Sequence, residues 1–124
     1  MTATATALYK FYSSFGLPAF QADTVPDDAA LPYITYSYVE PEWETSATHY
    51  AQVFMRTNSN EALLAKAGQI VRAIGTRKDL KCDGGYVVLH PASPLVQIMH
   101  DSSNDDIRIA YINLQLDALH TPGV

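Results

Sequence analysis

Sulfur, base and charge are all scarce in this 124-residue chain. Its single cysteine, Cys82, excludes an internal disulfide framework and any zinc site built on several thiolates, and suits a reducing compartment. Lys and Arg number 8 against 13 Asp and Glu, for a net charge of -5. So few cations argue against general binding to nucleic acid or anionic membranes, which needs Lys and Arg to neutralise phosphates. No run approaches the roughly 18 apolar residues of a membrane span. The opening Met-Thr-Ala-Thr-Ala-Thr-Ala has neither the basic region nor the apolar segment of a secretory signal, so a soluble, cytoplasmic chain is expected. A Gly-rich phosphate loop, a Gly-x-Ser-x-Gly elbow, a Ser-His-Asp order and a His-Glu-x-x-His helix are all missing. No internal repeat or linker divides the sequence.

What is present is 48% hydrophobic residues, enough for one core. A single domain over residues 1–124 would bury about two-thirds of its unfolded surface. Leu8, Phe11, Tyr12 and Phe15 fall at i, i+3, i+4 and i+7, one apolar stripe on a short helix ended by Gly16 and Pro18. Phe20 to Val25 reads as a brief strand, followed by turn chemistry at Val25-Pro-Asp-Asp28. Tyr33 to Val39 is dense in aromatic and β-branched residues between Pro32 and Pro41, and predicts a strand. From Ala47 to Thr57 the chain alternates, with Ala51, Val53 and Met55 on a core face and Tyr50, Gln52, Phe54 and Arg56 on the other.

Leu63, Ala67, Ile70, Val71 and Ile74 then follow helical spacing, with Asn58 and Glu61, or Ser59 alone, as N-cap and Gly75 in a left-handed C-terminal position. Arg72, Arg77, Lys78 and Lys81 complement the negative end of this helix better than they make a phosphate site. A hairpin at Asp83-Gly84-Gly85 returns through Tyr86 to His90, a further run covers Leu95 to His100, and Ile107 to Leu119 has a strict period of two. Ala110, Ile112, Leu114, Leu116 and Ala118 share its core face. The expected architecture is α+β, a mainly antiparallel sheet with two helices packed on one face.

Candidate chemistry is sparse. His100, Asp101, Asp105 and Asp106 are metal-capable ligand types, yet Asp101 to Asp106 also reads as an ordinary polar link. Cys82 as a nucleophile would need a base, and His90 is its one plausible partner; a small strand residue is the alternative. His49 and His120 look scattered. Glu40, Glu42 and Glu44 around Trp43 lack the apolar shielding that tunes catalytic carboxylates, so they read as an exposed acidic loop. Trp43 itself suits either a protein contact or a cap on the core.

The leading helix with Leu8-Tyr9 and Phe15, the Leu31-Pro-Tyr-Ile-Thr-Tyr strand, the Gln52 to Arg56 strand running into helix Asn60 to Ile74, and the closing Ile107 to Leu116 strand together resemble the tail terminator, or tail completion, proteins of long-tailed bacteriophages and prophages. The likeness is one of layout over residues 8 to 118. It implies a virion structural protein, not an enzyme and without cofactor or metal, that joins with its own copies as a ring, a hexamer in that family, on the end of the completed tail tube. Such a ring contacts the tail tube protein on one side and a head-completion or neck protein on the other, and lets DNA pass without specific binding. The chain would reside in the host cytoplasm before assembly and at the tail end of the virion after it. The candidate interface is Glu40, Glu42, Trp43 and Glu44 with Tyr50, Gln52, Phe54 and Arg56. A head-completion or tail-tube subunit, and a small α+β enzyme or ligand-binding module, remain open alternatives.

Overall fold

A computed structural model describes residues 4–120. The elements run α1 (Thr4–Ser13), β1 (Ala19–Gln21), β2 (Tyr33–Tyr36), β3 (Thr45–Arg56), α2 (Asn60–Ile74), β4 (Lys78–Cys82), β5 (Gly85–Asp101) and β6 (Asn104–His120). The six strands form one sheet in the order β1-β2-β3-β6-β5-β4. Every pairing is antiparallel except β1 with β2, so the α+β, mainly antiparallel expectation holds.

The sheet is curled into a half-barrel. Helix α1 touches β1 and β2 at one end of the strand order and β4 at the other. In a flat sheet those outer strands would stand about 24 Å apart at the usual strand spacing, whereas a helix of ten residues is only about 15 Å long and about 10 Å wide. The edges must therefore bend toward each other around α1. Ala7, Leu8, Phe11 and Tyr12 of α1 and Leu63, Ala67, Ile70 and Ile74 of α2 share one core with Ile34, Ala51, Val53, Leu89, Ile112, Leu114 and Leu116 of the strands.

Local chemistry sets the boundaries. Helix α1 stops at Ser13, short of Gly16, because the Ser14 N–H and hydroxyl both donate to the Phe11 carbonyl. Phe15 stays partly buried against the core beyond the helix. Ser59 is the N-cap of α2, its hydroxyl accepting from the Glu61 N–H. Gly75 ends that helix at φ 60 and ψ -138, outside the left-handed α region expected for it. Its N–H still donates to Val71 O, and only glycine enters this region without strain. Of the polar face of α2, Lys66 is tied down, donating to Phe15 O at 2.9 Å and so joining the middle of α2 to the segment that follows α1.

Strands β1, β2 and β5 differ from their expected extents, and β3 and β6 begin two and three residues earlier than expected. The early strand is Ala19–Gln21, because the Ala22 N–H makes the last bond to β2, at Tyr36 O, before a turn begins. Strand β2 ends at Tyr36, not Val39, since at the next position the Ser37 side chain takes the Tyr50 N–H that a continuing ladder would give to a backbone carbonyl. The expected runs Tyr86–His90 and Leu95–His100 are one strand, β5, interrupted by a bulge. Pro91 faces Leu114 and Val96 faces Ile112, so residues 92 to 95 stand opposite Asn113. The Asn113 amide pins them by donating to Pro94 O and Gln97 Oε1. The expected polar link Asp101 to Asp106 shrinks to a tight turn at Ser102 and Ser103, with Asp101 paired to Asn104 and both Asp105 and Asp106 already in β6. At the other end of β5, a Cβ on Gly85 would overlap the Leu119 carbonyl oxygen, which is why glycine follows Gly84 in that turn.

Candidate functional site

Alternation along β3 puts Ala51 and Val53 in the core and leaves Tyr50, Gln52, Phe54 and Arg56 on the opposite face of the sheet. The register lays these side chains beside others of the same kind. Phe54 sits between Tyr33 of β2 and Ile109 of β6, which in turn faces Met99 of β5. In the next row, Gln52 sits between Thr35 and Tyr111, which faces Gln97. Tyr33 stacks on Phe54 at 5.0 Å between ring centroids and Phe20 meets Tyr33 edge-on. Tyr50 stacks on Tyr111 at 5.0 Å, and Thr35 donates to Gln52 Oε1 at 3.0 Å. These rings shield one another, and burial raises the phenol pKa of Tyr33 and Tyr111. Arg56 is the charged member, paired with Asp106 at 3.9 Å with both side chains largely exposed, a contact of little energetic weight. Cross-strand aromatic pairs of this sort stabilise the sheet.

The three glutamates of the acidic loop are exposed, as expected, and two of their carboxylates are bonded within the fold. Glu40 accepts from the Tyr38 hydroxyl at 2.6 Å. Glu44, at φ 65, donates its N–H to Ala118 O and accepts the His120 N–H on its carboxylate, which fastens the start of β3 to the end of β6. Glu42 is exposed and its carbonyl accepts from Thr45. Trp43 lies against His120 and over Gly84, where an added Cβ would come within 3.2 Å of the indole. It is still 41% exposed, so it caps the end of the sheet with one side and offers the other to solvent. Trp43→Ala is expected to cost about 1 kcal/mol in chemical denaturation of the monomer, the range for a half-exposed contact, and more than that in any assembly that uses this end. An equal loss in both measurements would assign the indole to the fold alone.

The buried polar centre lies elsewhere. His49, on the core face of β3, is fully buried and bridges Tyr12 Oη at 2.8 Å from Nε2 and Ser37 Oγ at 2.9 Å from Nδ1. The buried Tyr12 hydroxyl must donate to something, and Nε2 is the partner in reach, so bonding assigns the neutral tautomer with the proton on Nδ1. Burial holds the imidazole pKa down at about 4, partly offset by a backbone hydrogen bond at Ser37. Burial likewise raises that of Tyr12, with the neighbouring Tyr36 phenol adding to it. Tyr12 also stacks on Tyr36 at 4.8 Å, so α1 is fixed to β2 and β3 through this chain. Sequence reasoning left His49 among scattered histidines, although its place two residues before Ala51 in the alternating run carried the signal.

The other candidates separate. Burial raises the Cys82 thiol pKa, the wrong direction for a nucleophile, and His90 pairs with Asp117 at 2.9 Å. Asp117 is held below the usual carboxylate range first by a hydrogen bond from Ser46. The Asp101 carboxylate is spent on its own turn, accepting from the Ser103 N–H and hydroxyl. Among the described residues no three His, Cys, Asp or Glu side chains converge as a metal site would need, and no helix is long and apolar enough to cross a membrane.

No protein-family model matches the chain, and no curated protein does. A solved structure aligns over 97% of this chain and 93% of its own with a TM-score of 0.65 at 13% identity, a likeness that shows a shared fold alone.

Proposed function

We propose that this chain is a virion structural protein of the tail-terminator kind, which closes the end of a finished phage tail tube as a ring, a hexamer, and presents the surface to which the filled head attaches. The observation that carries this reading is the face of β2, β3, β5 and β6 opposite the helices, where Tyr33, Phe54, Met99, Gln52, Tyr111 and Tyr50 meet in register. Aromatic groups mixed with neutral amides, with few charges, match the composition of protein contact surfaces. Its partners are further copies of itself, the tail tube protein and a head-completion or neck protein. The net charge of -5 suits a passage through which DNA moves without sticking. The role calls for no reaction, cofactor or metal, and its place is the host cytoplasm and then the neck of the virion.

Complementation of a long-tailed phage that lacks its terminator, scored in micrographs for tail length and head attachment, is the direct test. Overlong headless tails corrected to fixed length with heads attached are expected. A protein that stays monomeric by light scattering over a wide concentration range and never decorates tube ends would sink the proposal. A protein that polymerises into tubes by itself would reassign it as a tube subunit.

A further inference from the structure

The long hairpin of β5 and β6 is covered unevenly. On the side away from β6, strand β4 pairs only with Gly85 to Leu89, so the rest of β5 has no strand beside it among the described residues. Alternate N–H and C=O groups along this stretch point away from β6, and each must bond to water or to another backbone. Natural sheets blunt such edges with prolines, charges and bulges. Here Pro91, Pro94 and the bulge all sit at the near end. Leu95-Val-Gln-Ile-Met-His100 follows with no proline, Lys, Arg, Asp or Glu and spans about 20 Å. Met99 within it is 37% exposed. Strand β4, by contrast, is short and carries Lys78, Asp79 and Lys81. At the far end of the sheet β1 is uncharged. Beside it, a cavity of about 420 Å³ opens along Ala5, Thr6 and Tyr9 of α1 and leaves its outer edge reachable.

We infer that the free edge of β5 from Leu95 to His100 receives the β1 edge of a second copy of this chain, so that one subunit's sheet continues into the next. An unpaired backbone edge selects its occupant chemically, because only another extended strand returns both its donors and its acceptors. Among the described residues the β1 edge and the Leu95 to His100 edge are unlike and uncharged, and unlike edges joined head to tail repeat around a ring instead of stopping at two copies. Direction agrees as well. β5 runs parallel to β3, since both oppose β6, while β1 follows β2 and opposes β3. Copies rotated about an axis along the strands thus bring β1 antiparallel to β5. The inference rests on the ring reading and names its contact.

Hydrogen exchange of the unmodified protein at low and high concentration tests it. About tenfold slower exchange is expected for amides in both 95–100 and 19–21 as the oligomer forms. A double variant, Phe20→Cys with Gln97→Cys, is expected to give a ladder of intermolecular disulfides ending in a closed species, while either single variant, with no thiol opposite it in the neighbour, gives none at this contact. An oligomer whose protection and cross-links lie elsewhere overturns this contact and leaves the ring reading standing. A species that ends at two copies with protection only at 95–100 overturns the head-to-tail pairing. A chain that remains monomeric and decorates no tube overturns both.

Discussion

Lowering the pH from 7 to 4 is expected to remove about 3 kcal/mol of folding stability through His49 alone. The imidazole is neutral in the folded protein, and its pKa there is about 4 against 6.5 for the ordinary group. Between those values the unfolded chain binds a proton that the folded chain refuses, so the contribution is intact above pH 6.5 and falls away as the pH drops toward 4. Both ring partners, Tyr12 Oη and Ser37 Oγ, are neutral hydroxyls, and neither offers a charge to hold an imidazolium in place. His49→Leu should cost about 1–3 kcal/mol at pH 7 by leaving the Tyr12 hydroxyl without its partner, and should flatten the profile between pH 6.5 and 4. The acid sensitivity of Asp117 belongs to a lower range, since its folded pKa lies below 3.8. Urea denaturation at a series of pH values reads both effects. A profile for His49→Leu as steep as that of the parent would show that the histidine is not buried and neutral.

The second large effect is expected in the shared core. Ile70 of α2 is wholly buried and Leu114 of β6 is 2% exposed; both belong to the cluster that joins helices and sheet. Truncation removes transfer energy and leaves a cavity that surrounding strands close only in part. Ile70→Ala and Leu114→Ala should therefore each cost about 2–4 kcal/mol. Ile107→Ala on the opposite face of β6, where the side chain is only half-buried, should cost about 1 kcal/mol or less. Chemical denaturation of the three variants checks the phase of both elements, and a reversed order would mean that β6 is inverted.

Much of the fold was legible because its signals are local. The 3.6-residue spacing of Leu63, Ala67, Ile70 and Ile74 marked α2, and the period of two through Ala110, Ile112, Leu114 and Leu116 marked β6; burial matches both. The same alternation placed Tyr50, Gln52, Phe54 and Arg56 on one face, though not the Tyr33 and Tyr111 rings beside them, which depend on register with other strands. The acidic loop was visible as charge around a tryptophan, yet Glu44 reaches a backbone N–H 76 residues away, and no local pattern announces such a bond.

By itself, then, the amino-acid sequence determined which segments are helix or strand and which side of each is apolar, since hydrophobic periodicity is a property of neighbours along the chain. Tertiary structure decided the strand order, the curl around α1, the passage of β5 through Pro91 and Pro94 as one strand, and the burial of His49 against Tyr12 from 37 residues upstream. Each of these follows from hydrogen bonding and packing between segments remote in sequence, where the partner that satisfies a backbone edge or a buried ring nitrogen is chosen only when the chain closes on itself.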